Sequence, residues 1–194
     1  MVWRKFVWVA LFVAGAGALF SGCAYNEMVN AEEKIQEALS NVEVQYQRRA
    51  DLIPNLVNVV KGYAQHEREV LIQVTKARAS VSKIQLGGEI TPAQIQQFME
   101  AQDALTQALS RLMVVVERYP ELKANQQFLE LQAQLEGTEN RIAFARNQYN
   151  DRVRSFNTMI RRFPKNLVAS LFGFHPYPYF QAASGAEEAP KVGF

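Results

Sequence analysis

Apolar residues recur at steps of three and four, with occasional steps of seven, along most of this 194-residue chain. That spacing places them on one stripe of an α-helix. The first stripe extends from Met28 to Ile84, the second from Ile95 to Val116 and the third from Leu122 to Ile160. No stretch shows the strict alternation that is typical of a β-strand. The pattern therefore predicts an all-α protein built from long helices.

Glycines, prolines and capping residues mark the boundaries between the stripes. The pair Gly87-Gly88 ends the first segment, because paired glycines terminate helices. The tetrapeptide Thr91-Pro92-Ala93-Gln94 opens the next helix, since it combines a capping threonine, a proline at the first helical position and a glutamine that completes a capping box. Tyr119-Pro120 breaks the chain again and begins the last helix, which we expect to end before Phe163-Pro164.

Pro54 lies inside the first stripe and leaves two interpretations open. It has no amide proton for an i→i−4 bond, so the helix either kinks or ends and restarts there. The apolar phase continues through Pro54, which favours a kink, whereas Asp51 is a good N-cap for a new helix. An unbroken first helix would approach roughly 90 Å and lack partners for its lower half. We therefore predict an antiparallel up-and-down four-helix bundle with a corner at Pro54, preceded by an N-terminal signal or anchor helix.

The first residues resemble a targeting segment. Arg4 and Lys5 precede an apolar run at 6–20, and Ser21-Gly22 stand before Cys23, which is the single cysteine. This order is typical of a lipoprotein signal with lipid attached to Cys23, and the alternative is an uncleaved membrane anchor. Both interpretations place the following domain outside the cytoplasm. The predicted organisation is a signal or anchor at 1–22, a helical bundle at 23–165, and an aromatic tail with a flexible end at 166–194.

The tail also allows two interpretations. Arg161, Arg162 and Lys165 precede a segment at 166–180 that contains five aromatic residues. Such a segment either lies in a lipid interface or folds back to close the end of the bundle. We favour folding back, because buried aromatic side chains contribute strongly to core stability.

Charge and motif content exclude several classes of function. Setting aside Arg4 and Lys5, basic and acidic residues are equal in number, which argues against a nucleic-acid partner. His66 and His175 belong to no paired metal-ligand spacing, and no phosphate-binding glycine motif is present. We therefore predict no catalytic residues, no metal site and no cofactor.

Two polar clusters interrupt the helical pattern, one around Pro54 and one in the last stripe. They form our candidate polar network or partner site, which comprises Arg48, Arg49, Asp51, Asn55, Lys61, His66, Glu67, Glu136, Glu139, Asn140 and Arg141. One interpretation is a shared binding site, and the favoured one is a buried hydrogen-bond network that fixes how the helices pair. Gly62 and Gly137 lie inside predicted helices, where glycine is costly, so we expect a close backbone approach or a bend at each.

Several segments carry a resemblance to a known family, among them Gly22–Asn26, Tyr46–Val57, Tyr119–Asn125, Leu131–Ala143 and Phe172–Phe174. Over residues 22–194 the chain resembles the LemA family of bacterial envelope proteins. The resemblance implies a four-helix bundle tethered to a membrane by its amino end, and it assigns no catalytic residue. Members with a cysteine at this place look like lipoproteins, which implies outer-membrane sorting in a double-membraned host.

These observations lead to an expected function with one alternative. We expect a membrane-tethered, non-catalytic helical scaffold or adaptor of the cell envelope that faces the periplasm or exterior and binds a protein partner. The alternative is a module that binds the membrane surface through its basic and aromatic carboxyl-terminal tail. The sequence leaves open whether the chain forms a homo-oligomer.

Overall fold

The computed structural model describes residues 2–84, 86 and 90–181, with side chains from residue 22 onward. The signal or anchor side chains, the Gly87-Gly88 pair and the expected flexible end at 182–194 lie outside this description. The described part contains six helices and no strand, so the all-α prediction is confirmed. The helices are α1 (Val2–Tyr63), α2 (Arg68–Val81), α3 (Pro92–Val116), α4 (Pro120–Lys123), α5 (Gln126–Arg161) and α6 (Lys165–Phe172).

The predicted corner at Pro54 is wrong, because α1 continues through this residue to Tyr63. Pro54 cannot donate to the carbonyl of Ala50, and that carbonyl instead accepts a hydrogen bond of 3.0 Å from Nε of Arg78 in α2. Asp51 is likewise not an N-cap: it lies within the helix and its Oδ1 accepts from Nε2 of Gln47 at 2.7 Å. A distant guanidinium therefore completes the hydrogen bonding that the proline leaves open.

The first turn of the chain lies at residues 64–67 instead. Ala64 is fully buried there, and Glu67 precedes α2 without a side-chain cap. The Glu67 carboxylate pairs with the Arg118 guanidinium at 2.8 Å and accepts from the Tyr119 hydroxyl at 3.4 Å. These contacts join the α1–α2 turn to the end of α3.

Local capping signals behave as predicted at α3 and only in part at α5. Thr91 and Gln94 form the complete capping box, with Thr91 N donating to Gln94 Oε1 at 2.8 Å. Pro120 begins only the four-residue α4, so the prediction that it begins the last long helix is wrong. That helix, α5, begins one residue after Asn125, whose Oδ1 caps the amide of Phe128 at 3.0 Å. Because an asparagine offers a better cap than Tyr119, the long helix starts there.

The helices enclose two apolar clusters. α1 packs along α5, and α2 packs on α3. The proximal cluster joins the early part of α1 to the late part of α5, and comprises buried residues within 24–46, 142–160 and 168–180 together with Leu86, Ile90, Ile95 and Phe98. The distal cluster comprises buried residues within 53–64, 71–81, 105–122 and 128–135. Because α1 passes from the first cluster into the second, the two clusters follow one another along this helix.

The segment after α6 returns along α5 without helical structure. The Asn157 side chain exchanges two hydrogen bonds of 2.9 Å with the backbone of Tyr177, and Asn150 does the same with the backbone of Phe180. The Phe180 side chain is buried, with its ring 5.0 Å from that of Tyr149. These amide pairs satisfy backbone groups that a surface segment normally leaves to water. The favoured interpretation, that the aromatic segment folds back, is confirmed for residues 177–180.

No helix segment within the part whose side chains are described, residues 22–84, 86 and 90–181, is long and apolar enough to cross a membrane.

Candidate functional site

A polar layer separates the two apolar clusters. Arg49 is 3% exposed and lies on α1 between the proximal and distal clusters. Its Nη1 is 2.9 Å from Oε1 of Glu139 in α5, and its Nη2 donates to Oγ1 of Thr106 in α3 at 2.7 Å. One guanidinium thus connects three helices at a single level, which fixes their relative positions along the bundle axis.

Gln102 and Thr138 complete this layer. Thr138 is fully buried, and its hydroxyl donates to the carbonyl of Leu135 at 2.6 Å. Gln102 is only 2% exposed, and neither Nε2 nor Oε1 of its amide has a hydrogen-bond partner among the described residues. Nε of Arg49 is unpaired in the same sense. Burying such groups without partners costs stability.

The layer continues to the carboxyl-terminal segment through Tyr46 and Arg146. Burial raises the pKa of the Tyr46 hydroxyl, while the positive charge of Arg146 opposes that shift. The Arg146 guanidinium lies over the ring of Phe180 at 5.6 Å and donates to the carbonyl of Gln181. The returning segment is therefore held to the bundle by charge as well as by the asparagine pairs.

The remaining predicted site residues do not form one cluster. Glu67 lies at the distal turn, Glu136 accepts from Gln132 at 3.0 Å on the α5 surface, and Asp51 accepts from Gln47. The following side chains are exposed and separate from the polar layer: Arg48, Asn55, Lys61, His66, Asn140 and Arg141. Of the eleven candidates, the structure brings together Arg49 and Glu139.

Gln102, Thr106 and Arg78 were not among the predicted site residues. The sequence does mark Gln102, because it lies between Phe98 and Leu105 at a position where the helical periodicity of α3 predicts an apolar residue. Arg49 likewise occupies a stripe position in α1. Polar residues at core positions therefore mark the layer. Arg78 carries no such signal, since its role arises only from the carbonyl that Pro54 leaves free.

A basic groove runs between α1 and α2 at the distal end, with a volume of about 1020 Å³. Its described lining contains three cationic side chains and no carboxylate. The groove is lined by Val57, Asn58, Lys61, Gly62, Gln65, Arg68, Leu71, Ile72, Thr75, Lys76 and Ala79. None of its three cations belongs to an ion pair among the described residues. Ile72 is 51% exposed, so the groove combines positive charge with an accessible apolar contact.

Of the two alternatives expected at the helical glycines, a close backbone approach or a bend, the close approach is wrong. A Cβ added at Gly62 or Gly137 would meet nothing within 4 Å. At Gly62 the absent side chain leaves space in the basic groove, which this residue lines. Gly137 has no comparable surface in the described part of the chain, and nothing in the structure explains its presence in α5.

A smaller cavity of about 290 Å³ lies beside the polar layer, and Glu43 and Gln102 are among its lining residues. Burial raises the pKa of the Glu43 carboxyl, although the amide of Leu86 donates to it at 3.1 Å and opposes the shift. His66 and His175 are exposed at different parts of the molecule. The described residues contain no group of three or more His, Cys, Asp or Glu side chains arranged to hold a metal ion.

Comparison with known proteins identifies the family of this chain. Residues 38–194 match the model of the LemA family. Two relatives, magnetosome proteins MamQ 1 and MamQ 2 of Paramagnetospirillum magneticum, are each 31% identical over 176 residues, covering 81% of this chain. The chain spans 64% of the length of those relatives. The protein LemA of Metamycoplasma hominis is 26% identical over 182 residues, covering 93% of this chain and 80% of its own length. The chain therefore belongs to the LemA family.

Proposed function

We propose that this protein is a non-catalytic helical scaffold of the bacterial cell envelope, which binds an acidic amphipathic helix of a protein partner in its basic groove. In this proposal α1, α2, α3 and α5 form an up-and-down bundle, and the apolar amino terminus or a lipid on Cys23 tethers it to a membrane. The bundle then faces the periplasm or the cell exterior.

The groove between α1 and α2 carries the proposal. The groove is lined by three unpaired cations, Lys61, Arg68 and Lys76. Its lining also contains two apolar residues, Leu71 and the half-exposed Ile72. A partner helix with one apolar face fits such a groove, and carboxylates along its flanks complement the charge. The length of the groove favours a helix over a small ligand, since its lining extends from Val57 to Ala79 across two helices.

The internal polar contacts support a scaffold because they hold the walls of this groove in place. The bond from Arg78 to the Ala50 carbonyl fixes α2 against α1, and these two helices form the groove. The polar layer around Arg49 fixes α1 against α3 and α5.

A pair of defined peptides tests the groove. One is an amphipathic helical peptide of about 20 residues with a leucine stripe flanked by glutamates, and its twin carries lysines at the same positions. The full chain in mild detergent is titrated against each fluorescent peptide. We expect the acidic peptide to bind and the basic twin to bind at least roughly tenfold more weakly, because three exposed ion pairs contribute about 0.5 kcal/mol each.

Charge reversal supplies the matched control. Lys61→Glu, Arg68→Glu and Lys76→Glu together should reverse the peptide preference. Lys34→Glu, Arg48→Glu and Arg152→Glu change the net charge equally at exposed sites away from the groove and should leave the preference unchanged. Equal effects of the two triple variants would refute the groove as the binding surface.

Gly62→Leu tests the same surface by steric occupation. The added side chain meets no part of the described chain near its Cβ and projects into the groove. We expect weaker binding of the acidic peptide with undiminished thermal stability, because leucine favours the helix more than glycine does. Unchanged binding would contradict the assigned groove.

The proposed tether has a separate test. Cys23 is exposed. If it carries lipid, Cys23→Ser should abolish fatty-acid labelling in cells and leave an unprocessed precursor. Normal labelling or processing of that variant would refute lipidation and favour the uncleaved anchor.

A further inference from the structure

The helix α6 and the turn before it expose an apolar face at one end of the molecule. Phe163 is 81% exposed, Leu167 61% and Leu171 76%, and we call these three residues the α6 face. Leu167 and Leu171 are four positions apart, so they lie on the same side of α6. The opposite side of α6 is buried through Val168 and Ala169. The helix is thus apolar on both its packed side and its free side.

The position of α6 places this face beside the first described side chains of α1. Val168 and Ala169 belong to the same apolar cluster as Ala24 and Met28. The Tyr25 ring lies 4.8 Å from that of Phe172. Nζ of Lys165 is 2.5 Å from Oε2 of Glu27. The helix α6 is therefore fixed at the level of residues 24–28.

That level is where the apolar amino-terminal run ends. The run at 6–20 belongs to α1, which is continuous from Val2 to Tyr63. Ala24 lies four positions after Phe20, which corresponds to about 6 Å along a helix. A bilayer that receives the run, or a lipid attached to the exposed Cys23, would have its surface at the same height as α6.

The charge around α6 suits a lipid surface. Residues 152–181 contain five cations and no carboxylate. Arg154 pairs with Asp151 and Lys165 pairs with Glu27, whereas Arg152, Arg161 and Arg162 have no ion pair among the described residues. Arg161 and Arg162 are exposed directly before the α6 face. Basic residues beside exposed apolar ones are the combination by which interfacial helices bind anionic membranes. The same cations disfavour a second copy of the chain as the occupant, since two like-charged faces repel each other.

We propose that the α6 face lies in the headgroup region of the bilayer that holds the amino-terminal run, and so gives the bundle a fixed orientation on the membrane. α6 forms the first part of the predicted carboxyl-terminal tail, and the later part is not available for this contact because Tyr177 and Phe180 are engaged with α5. The contact does not depend on the basic groove, which lies at the other end of α1.

Depth-dependent fluorescence quenching tests this placement. The full chain carrying Cys23→Ser receives a single cysteine by Leu167→Cys or Leu171→Cys, labelled with an environment-sensitive dye. Matched controls are Phe144→Cys and Val114→Cys, which replace apolar residues that are 64% and 69% exposed on α5 and α3. Each protein is reconstituted in phosphatidylcholine–phosphatidylglycerol vesicles that contain lipids with nitroxide quenchers at a shallow or a deep position.

We expect quenching at residues 167 and 171, stronger from the shallow quencher, because interfacial helices bury their apolar face by about 5–10 Å. The labels at residues 144 and 114 should show no quenching above that of lipid-free protein. Equal quenching at all four positions, or none at 167 and 171, would overturn the proposal. Energy transfer between labels at residue 171 on different copies, without lipid quenching, would also overturn it and assign the face to self-association.

Discussion

The bond between Arg78 and the Ala50 carbonyl gives the sharpest test of how this chain folds. Pro54 has no N–H for that carbonyl, so Arg78 supplies the donor from a helix 28 positions away in sequence. Ala50 is only 1% exposed, so its carbonyl is shielded from bulk water while the Arg78 guanidinium is in place. We predict that Arg78→Met, which keeps the apolar stem, destabilises the protein.

The expected loss follows from the chemistry of the bond. A hydrogen bond that involves a charged group contributes about 1.5–3 kcal/mol, and a buried unpaired carbonyl costs a comparable amount. We therefore expect Arg78→Met to lower the free energy of unfolding by about 2 kcal/mol. Lys76→Met is the matched control in the same helix. The Lys76 side chain is exposed and makes no hydrogen bond or ion pair with the described residues, so its replacement should change the free energy of unfolding by no more than about 0.5 kcal/mol.

A double-mutant cycle with Pro54→Ala isolates the cause. That substitution restores the backbone N–H at position 54, which can donate to the Ala50 carbonyl in the ordinary helical way. In the Pro54→Ala background the cost of Arg78→Met should fall, giving a coupling energy of about 1–2 kcal/mol. Pro54→Ala alone should stabilise the protein, because proline is unfavourable inside a helix.

Urea unfolding of the full chain in mild detergent, followed by far-ultraviolet circular dichroism, measures each corner of the cycle. The slope of the free energy of unfolding against urea concentration should be the same for all variants, so that differences in midpoint report differences in stability. An equal cost of Arg78→Met with and without the Pro54→Ala substitution would refute the reasoning. So would a cost no larger than that of Lys76→Met.

Three further predictions concern other parts of the bundle. Gln102→Leu should raise the free energy of unfolding by about 1–3 kcal/mol in the same assay, because it removes two buried polar groups that have no partner among the described residues. A lower free energy of unfolding would show that the Gln102 amide has hydrogen-bond partners. Gly137→Ala should stabilise α5 by about 1 kcal/mol, seen as a higher urea midpoint, because the added Cβ meets nothing within 4 Å; destabilisation would reveal a close neighbour. Burial raises the pKa of the Tyr149 hydroxyl above its ordinary value near 10, so above that pH the unfolded chain loses the proton while the folded chain keeps it. As the pH rises above about 10, the free energy of unfolding should therefore decrease by up to about 1.4 kcal/mol per pH unit because of this tyrosine. Tyr149→Phe should make the free energy of unfolding less dependent on pH in that range.

Short sequence motifs predicted the structure correctly where all the interacting residues lie within one segment. The Thr91–Gln94 capping box is an example, because the donor and acceptor are three residues apart and form with the helix itself. The end of α5 before Phe163-Pro164 is another. The apolar periods also assign most buried residues of α1, α3 and α5 to the core. These features depend on helix geometry alone, which the sequence expresses directly.

The candidate site was predictable only in part. Arg49 and Glu139 were both identified as polar residues within helical segments, and the structure joins them at 2.9 Å. Thr106, which accepts a hydrogen bond from Arg49, does not stand out in the sequence pattern of α3. Its contact with Arg49 depends on how far α3 is shifted along α1. Sequence patterns define the faces of helices, whereas the shift between two helices follows from packing of side chains far apart in the chain.

The amino-acid sequence by itself determined an all-α architecture, the α3 capping box, most of the core and family membership. Tertiary structure alone decided the path through Pro54, because the carbonyl that this proline leaves free accepts from Arg78 in another helix. It also decided which part of the carboxyl-terminal segment is buried. Asn150 and Asn157 bind the backbone of residues 177–180, while α6 keeps Leu167 and Leu171 exposed. Both outcomes depend on contacts between distant segments, whose energies become available only once the helices have assembled.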